Sequence, residues 1–189
     1  SLAYLTAIEV MDGHSAEWGF SWSDMAANVL GNGLFLGQQI GWGDQRIYLK
    51  FSARLTENAE LRPEVLGETT AERILKDYNG QTYWLSANPS SFKKKNGGKL
   101  KWFNVAIGYG AEGMLGAYSN SDIEGEIAEA SDLDRYRQFY FSIDVDLLRI
   151  KTRSGFLKGL FYVLNSIKVP APTLELNGNG EAIFHLLYF

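Results

Sequence analysis

The sequence predicts a mainly β chain with N-terminal helices, its strands forming a small antiparallel barrel of the outer-membrane type packed with helices. Three observations carry this. Long stretches alternate bulky apolar with polar residues, aromatic residues gather near the ends of those stretches, and the connections between them alternate in charge. A water-soluble α+β antiparallel sheet, one face on a core, accounts for the alternation equally well and stands as the alternative. The composition is that of a folded chain: 189 residues, 46% hydrophobic and 21% charged. With 18 basic against 22 acidic residues the net charge is −4, which argues against general nucleic-acid binding. Cysteine is absent, so disulfides, zinc–thiolate sites and thiol catalysis are excluded. No run of 18 apolar residues exists to form a spanning helix, and no signal peptide is evident at the first residues.

Residues 1–43 read as a helical hairpin. Leu2, Leu5 and Ile8 make a helical stripe that Gly13 stops, and an apolar helix at the first residue is expected to follow upstream sequence. The second helix opens on the capping-box pattern Ser21-Trp22-Ser23-Asp24 and reaches Gly41. Asp24, Asn28, Asn32 and Gln39 share one face, while Gly33, Gly37 and Gly41 stripe the apolar one. Each internal glycine costs a helix about 1 kcal/mol against alanine, so the stripe predicts close packing against another element.

Residues 44–189 read as the barrel-like region, with helical insertions near 69–77 and 154–168. Period-two alternation predicts strands over Arg46–Thr56, Gln81–Ala87, Trp102–Met114, Arg137–Leu147, Thr173–Asn177 and Glu181–Phe189. The Asn79-Gly80 step and the run Asn177-Gly178-Asn179-Gly180 supply turns. Thr69-Thr70-Ala71-Glu72 is a second capping box. The last helix stops before Pro170. In a barrel the inward row would hold Tyr48, Lys50, Arg54, Tyr140, Asp144 and Asp146, whose opposite charges pair and fill the interior. His185 is expected as a lining residue. Against a barrel stand the six strands, where single-chain bacterial barrels begin at eight, and long connections at both ends.

If the strands run up and down, successive connections fall at opposite ends. Residues 57–80 and 117–134 then put a net −9 at one end. Residues 88–101 and 149–170 put +10 at the other. Lys93, Lys94, Lys95, Lys99 and Lys101 form an anionic-surface candidate, each basic group near an anionic membrane being worth about 1 kcal/mol. For chemistry, a hairpin would gather Glu9, Asp12, His14, Asp24 and Asn28, enough for a general acid/base pair or an oxygen-ligand site. Capping and structural pairing account for the same residues, so no catalytic set is complete, and no metal or cofactor is expected.

Glu9-x-x-Asp12 followed by Gly19-Phe20-Ser21-Trp22-Ser23-Asp24, Asn28 and Gly31 resembles the YfiM-like family of predicted periplasmic lipoproteins. Its longer members are similar over the whole chain, including Lys76-Asp77-Tyr78-Asn79-Gly80-Gln81-Thr82-Tyr83-Trp84, Gly108-Tyr109-Gly110 and Pro170-Ala171-Pro172. The resemblance implies a Gram-negative envelope protein, carries no settled activity, and implies an Asp-Lys-x-x-His helix that this chain lacks. The leading expectation is a non-catalytic component of the outer membrane, acting structurally or as a subunit of a membrane-protein assembly. Its partners would be membrane lipid or lipopolysaccharide and an envelope protein, with no nucleic acid. The alternatives are a periplasmic location, an envelope lipid or glycan hydrolase using Glu9, Asp12 and Asp24, and an anionic-lipid-binding module using the lysines.

Overall fold

The computed structural model describes residues 22–92, 101–116, 119, 120, 127 and 133–189, with the backbone alone at 22–24. The chain divides into two compact units, Ser1–Arg46 and Ile47–Phe189. In the first, α1 (Trp22–Trp42) is one 21-residue helix. Its polar face knits itself: Asn32 Nδ2 donates to the Asn28 carbonyl at 2.9 Å, and Gln38 bonds Gln45 and the Arg46 amide. The glycine stripe has no close neighbour, since a Cβ built at Gly33, Gly37 or Gly41 meets nothing within 4 Å. The expected tight packing there is not found among the described residues. Ser21, the expected cap, and the expected helix over residues 1–10 lie outside them.

The second unit is one six-stranded antiparallel sheet in sequential order, β1 (Ile47–Ala53), β2 (Gln81–Ala87), β3 (Phe103–Glu112), β4 (Tyr136–Val145), β5 (Ala171–Asn177) and β6 (Ala182–Tyr188). All six lie where the period-two stretches predict them, each ending within a few residues of the expected bound. Between β1 and β2 come α2 (Asn58–Leu61), α3 (Pro63–Leu66) and α4 (Thr70–Lys76). Only α4 is predicted, from its capping box, and that box forms: Thr69 Oγ1 accepts from the Glu72 amide while Glu72 reaches back to the Thr69 amide. The one-turn helices α2 and α3 are too short to show a period. Short 3₁₀ turns follow β2 (Pro89–Phe92) and β4 (Leu147–Arg149), and α5 (Gly155–Leu164) precedes β5. The meander puts the β1–β2 and β3–β4 connections at one end and the β2–β3 and β4–β5 connections at the other, as the charge alternation assumes.

The sheet is not a closed barrel, which corrects the expected architecture. The free edge of β1 is taken by the segment before β5 rather than by β6: the Phe51 amide donates to the Ser166 carbonyl at 2.8 Å, and the Lys168 amide to the Phe51 carbonyl at 2.9 Å. The sheet is nevertheless strongly curled. Neighbouring strands lie about 4.8 Å apart, so β1 and β4 in a flat sheet would be about 14 Å apart and β2 and β6 about 19 Å. Instead Lys50 on β1 meets Asp144 on β4 at 2.7 Å, and Thr82 on β2 meets the Tyr188 hydroxyl on β6 at 3.0 Å.

Two glycines permit this shape. Gly108 lies between Trp84 and Tyr140 in register, and a Cβ there would sit 2.7 Å from the Trp84 ring. At Gly80 a Cβ would sit 2.0 Å from the Arg54 carbonyl oxygen, so the turn into β2 closes only without a side chain.

Candidate functional site

The concave face of the sheet is polar. Its register lines up Lys50, Trp84, Gly108, Tyr140 and Glu175 across five strands, with Tyr48, Ser86, Ala106, Ser142 and Thr173 in the next rung. Lys50 Nζ lies 2.7 Å from Asp144 Oδ2, with both side chains wholly inaccessible, and donates to the Val145 carbonyl at 2.8 Å. Asp144 also accepts from Ser86 Oγ at 2.6 Å and the Val169 amide at 3.3 Å, while Asn104 Nδ2 donates to Ser86 Oγ at 2.9 Å. Trp84, Tyr140 and Tyr188 fill the centre, ring centroids 4.6–6.1 Å apart, and Trp84 Nε1 donates to Ser52 Oγ at 2.9 Å. Glu175 takes Gln138 Nε2 at 2.8 Å and contacts His185 Nε2 at 2.7 Å, so the expected lining histidine is half-buried and paired. Lys168 is buried over the Trp84 ring, 5.0 Å from its centroid. Burial pulls the Lys168 ammonium down to about 8, against the attraction of Asp144 and with repulsion from Lys50.

The predicted inward residues are therefore charged and paired, but two partners differ from expectation. Arg54 pairs with Glu112, which Asn58 also holds, and Asp146 pairs with Arg149 at 2.9 Å. Burial raises the Asp146 carboxyl and Arg149 draws it back. Asp146 also caps the 3₁₀ turn after β4 through the Leu148 amide.

The convex face is the reverse. Phe51, Tyr83, Tyr109, Phe139 and Leu176 form one apolar rung around the sheet; Leu49, Leu85, Ile107, Phe141 and Leu174 form the next. Ile107 is 52% exposed, Phe139 53% and Phe141 49%. Among the described residues 22 polar or charged side chains are buried against 10 hydrophobic ones. In a water-soluble domain that order is inverted. The helix α5 continues the pattern at the end of the sheet that carries the β4–β5 connection. Phe156, Tyr162 and Val163 are all more than three-fifths exposed; Lys151 and Arg153 precede the helix and Lys158 lies within it.

At the opposite end the connections are stapled by buried amides. Asn79 bonds both the amide and the carbonyl of Met114, and Asn120 holds the Leu115 amide and the Gly113 carbonyl. Thr56 donates to the buried Asp77. Beside these staples Arg62, Arg135 and Arg137 line a cavity of about 600 Å³, which the spacing of the sequence does not reveal because the three arginines come from two different connections and a strand start.

Of the candidate residues read from sequence, Glu9, Asp12, His14, Lys93, Lys94, Lys95 and Lys99 lie outside the described residues. Asp24 lies in the first turn of α1. Asn28 is half-buried, and Lys101 is exposed with its carbonyl accepting from Asn88 Nδ2 at 2.6 Å. No group of three or more histidine, aspartate or glutamate residues that could hold a metal is found among the described residues, and none of the helices described is long and apolar enough to cross a membrane. No protein family, no curated protein and no solved structure matches the chain.

Proposed function

We propose that this protein is a non-catalytic component of the cell envelope whose sheet sits in the outer membrane, convex face against lipid and concave face self-filled. The inversion carries the reading: two continuous apolar rungs face outward while lysine, aspartate, glutamate and glutamine side chains pair inside. Water outside would reward the opposite arrangement, at about 25 cal/mol for each Å² of apolar surface left exposed. The ten-residue strands β3 and β4 have the length that tilted membrane strands need. The exposed apolar α5 with its basic flanks supplies an interfacial anchor at one end. The interior's ion pairs and rings leave it plugged, so passage of solutes is not part of the reading; a scaffold or assembly subunit is. The resemblance to envelope lipoproteins of the YfiM-like type points the same way.

The test is fractionation of cells expressing the chain. The protein is expected in the outer-membrane fraction, resistant to carbonate and high-salt washes, extracted by detergent, and running at a different apparent size when boiled. Release by the salt wash would end the membrane reading and leave a soluble sheet with a partner on its convex face.

A further inference from the structure

We propose that the arginine-lined cavity and the apolar groove beside it form a binding site for an anionic glycerophospholipid, the phosphate on the arginines and an acyl chain along the strands. The site rests on the membrane reading above and adds a ligand to it. Two cavities meet on the convex side of the sheet. The first, about 600 Å³, takes Arg62, Arg135 and Arg137, with Tyr78 from the β1–β2 connection. The second, about 370 Å³, is lined by Leu49, Leu85, Ile107, Phe139 and Phe141. Tyr83 and Tyr109 line both, so the two form one path from a cationic mouth to an apolar trough.

The cationic mouth is built rather than incidental. Arg62 Nη1 donates to the Leu115 carbonyl at 2.9 Å, and Arg135 Nη1 donates to the Gly116 carbonyl at 3.0 Å. Two consecutive carbonyls thus anchor two guanidinium groups on the lining of one cavity, and Arg135 Nη1 also donates to Asn120 Oδ1 at 3.4 Å; an anion there gains Coulomb energy from both. Arg62 also meets Glu64 at 3.3 Å, a carboxylate that is 63% exposed and outside the cavity lining. Arg137 lies over the Tyr109 ring, 5.9 Å from its centroid. Among the described residues no carboxylate lines either cavity. Tyr78 lines the same cavity; burial raises its phenol, and the charges of Arg135 and Arg62 pull it down. Guanidinium groups recognise phosphate through paired N–H donors, and tyrosine rings at the junction suit the boundary between headgroup and chain. A free phosphate would satisfy the mouth and leave the trough bare; a lipid phosphate satisfies both.

The experiment uses the full chain in neutral maltoside micelles, titrated with short-chain phosphatidylglycerol, short-chain phosphatidylcholine and inorganic phosphate, with retained ligand read by native mass spectrometry. Phosphatidylglycerol is expected to be retained, and the other two are not. The double variant R135Q/R137Q should weaken that retention by at least about tenfold. It should still insert into phosphatidylethanolamine vesicles and still shift on boiling, which separates loss of the site from loss of the fold. Equal retention of phosphatidylcholine would reduce the site to a non-selective groove and overturn the proposal. Equal retention of inorganic phosphate would overturn the lipid assignment. Failure of the unaltered chain to insert into vesicles would instead strike the membrane reading, and with it this site.

Discussion

The two faces of the sheet are made from the same strands of seven to ten residues, residue by residue in turn, yet they obey opposite rules. On the concave side Lys50, Ser86, Asn104 and Asp144 each have a defined partner, so the environment there is set by hydrogen-bond geometry. On the convex side Leu85, Ile107, Phe141 and Leu174 stand beside one another along a rung and, among the described residues, are left 40–52% exposed. On the proposed membrane reading, one face needs specific neighbours and the other only a greasy medium. That difference predicts that mutations on the inside will be felt through geometry and those on the outside through polarity alone.

The sharpest break should come from Asp144→Ala. It leaves the inaccessible Lys50 ammonium without its carboxylate and strands Ser86, for an expected loss of about 3–5 kcal/mol. The double variant K50M/D144L, which removes both charges and keeps the volume, should recover most of it. Urea unfolding followed by near-ultraviolet circular dichroism measures both. If Asp144→Ala alone is tolerated, the interior is hydrated and the plugged description fails. Next in size is Ile107→Arg on the convex face, expected to cost about 2–4 kcal/mol in lipid vesicles, while Ile107→Leu stays under about 1.5 kcal/mol. Against water the same arginine would be neutral or would raise solubility, so an unchanged folding yield in vesicles would reverse the assignment of the two faces. Gly108→Ala is smaller, about 1–3 kcal/mol from overpacking. Trp84 cannot step back from the added methyl, being bonded to Ser52 and packed against the rings of Tyr140 and Tyr188. A wild-type melting temperature for G108A would mean that the central rings rearrange freely.

Legibility in the sequence follows the same division. Strand alternation is a local property with a period of two, so all six strands and the mixed charges of the inward row stand in the sequence, though not which partner each charge takes. Closure is not local. Whether β6 or residues 166–168 cover the edge of β1 depends on backbone amides that every residue carries, and no side-chain pattern announces it. The capping box at Thr69 is visible because two side chains spell it. The one-turn helices at Asn58 and Pro63 are held by tertiary contacts of Ala59 and Leu66 with Leu115, from another connection altogether. The arginine cavity escapes for the same reason, being assembled from positions 62, 135 and 137. Lys168 shows the limit of summing charges: it contributes to the +10 of residues 88–101 and 149–170, yet it is wholly buried.

That burial makes Lys168 the finest probe of the concave face, because among the described residues it is the cation there whose partner is a carbonyl, that of Val169, at 2.8 Å, rather than a carboxylate of its own. Its ammonium is pulled down to about 8 from 10.5. Between those values the unfolded chain holds a proton that the folded chain has released, so stability contributed by this group rises with pH across the window. Below about 8 both states are charged and the folded state bears the whole cost of burying the ion. Lys168→Met keeps the length and the contact with Trp84 and removes that cost. It should therefore stabilise the protein by about 1–2 kcal/mol at neutral pH, and its advantage should shrink as pH rises toward 10.5 and vanish above it, where the lysine of the parent chain is neutral both folded and unfolded. Urea unfolding of both proteins across this range reads the difference directly. A variant that is less stable at neutral pH, or an advantage that does not change with pH, would show that Asp144 serves Lys168 as well as Lys50, and that the concave face holds a three-centre ion cluster rather than a pair with a cation beside it.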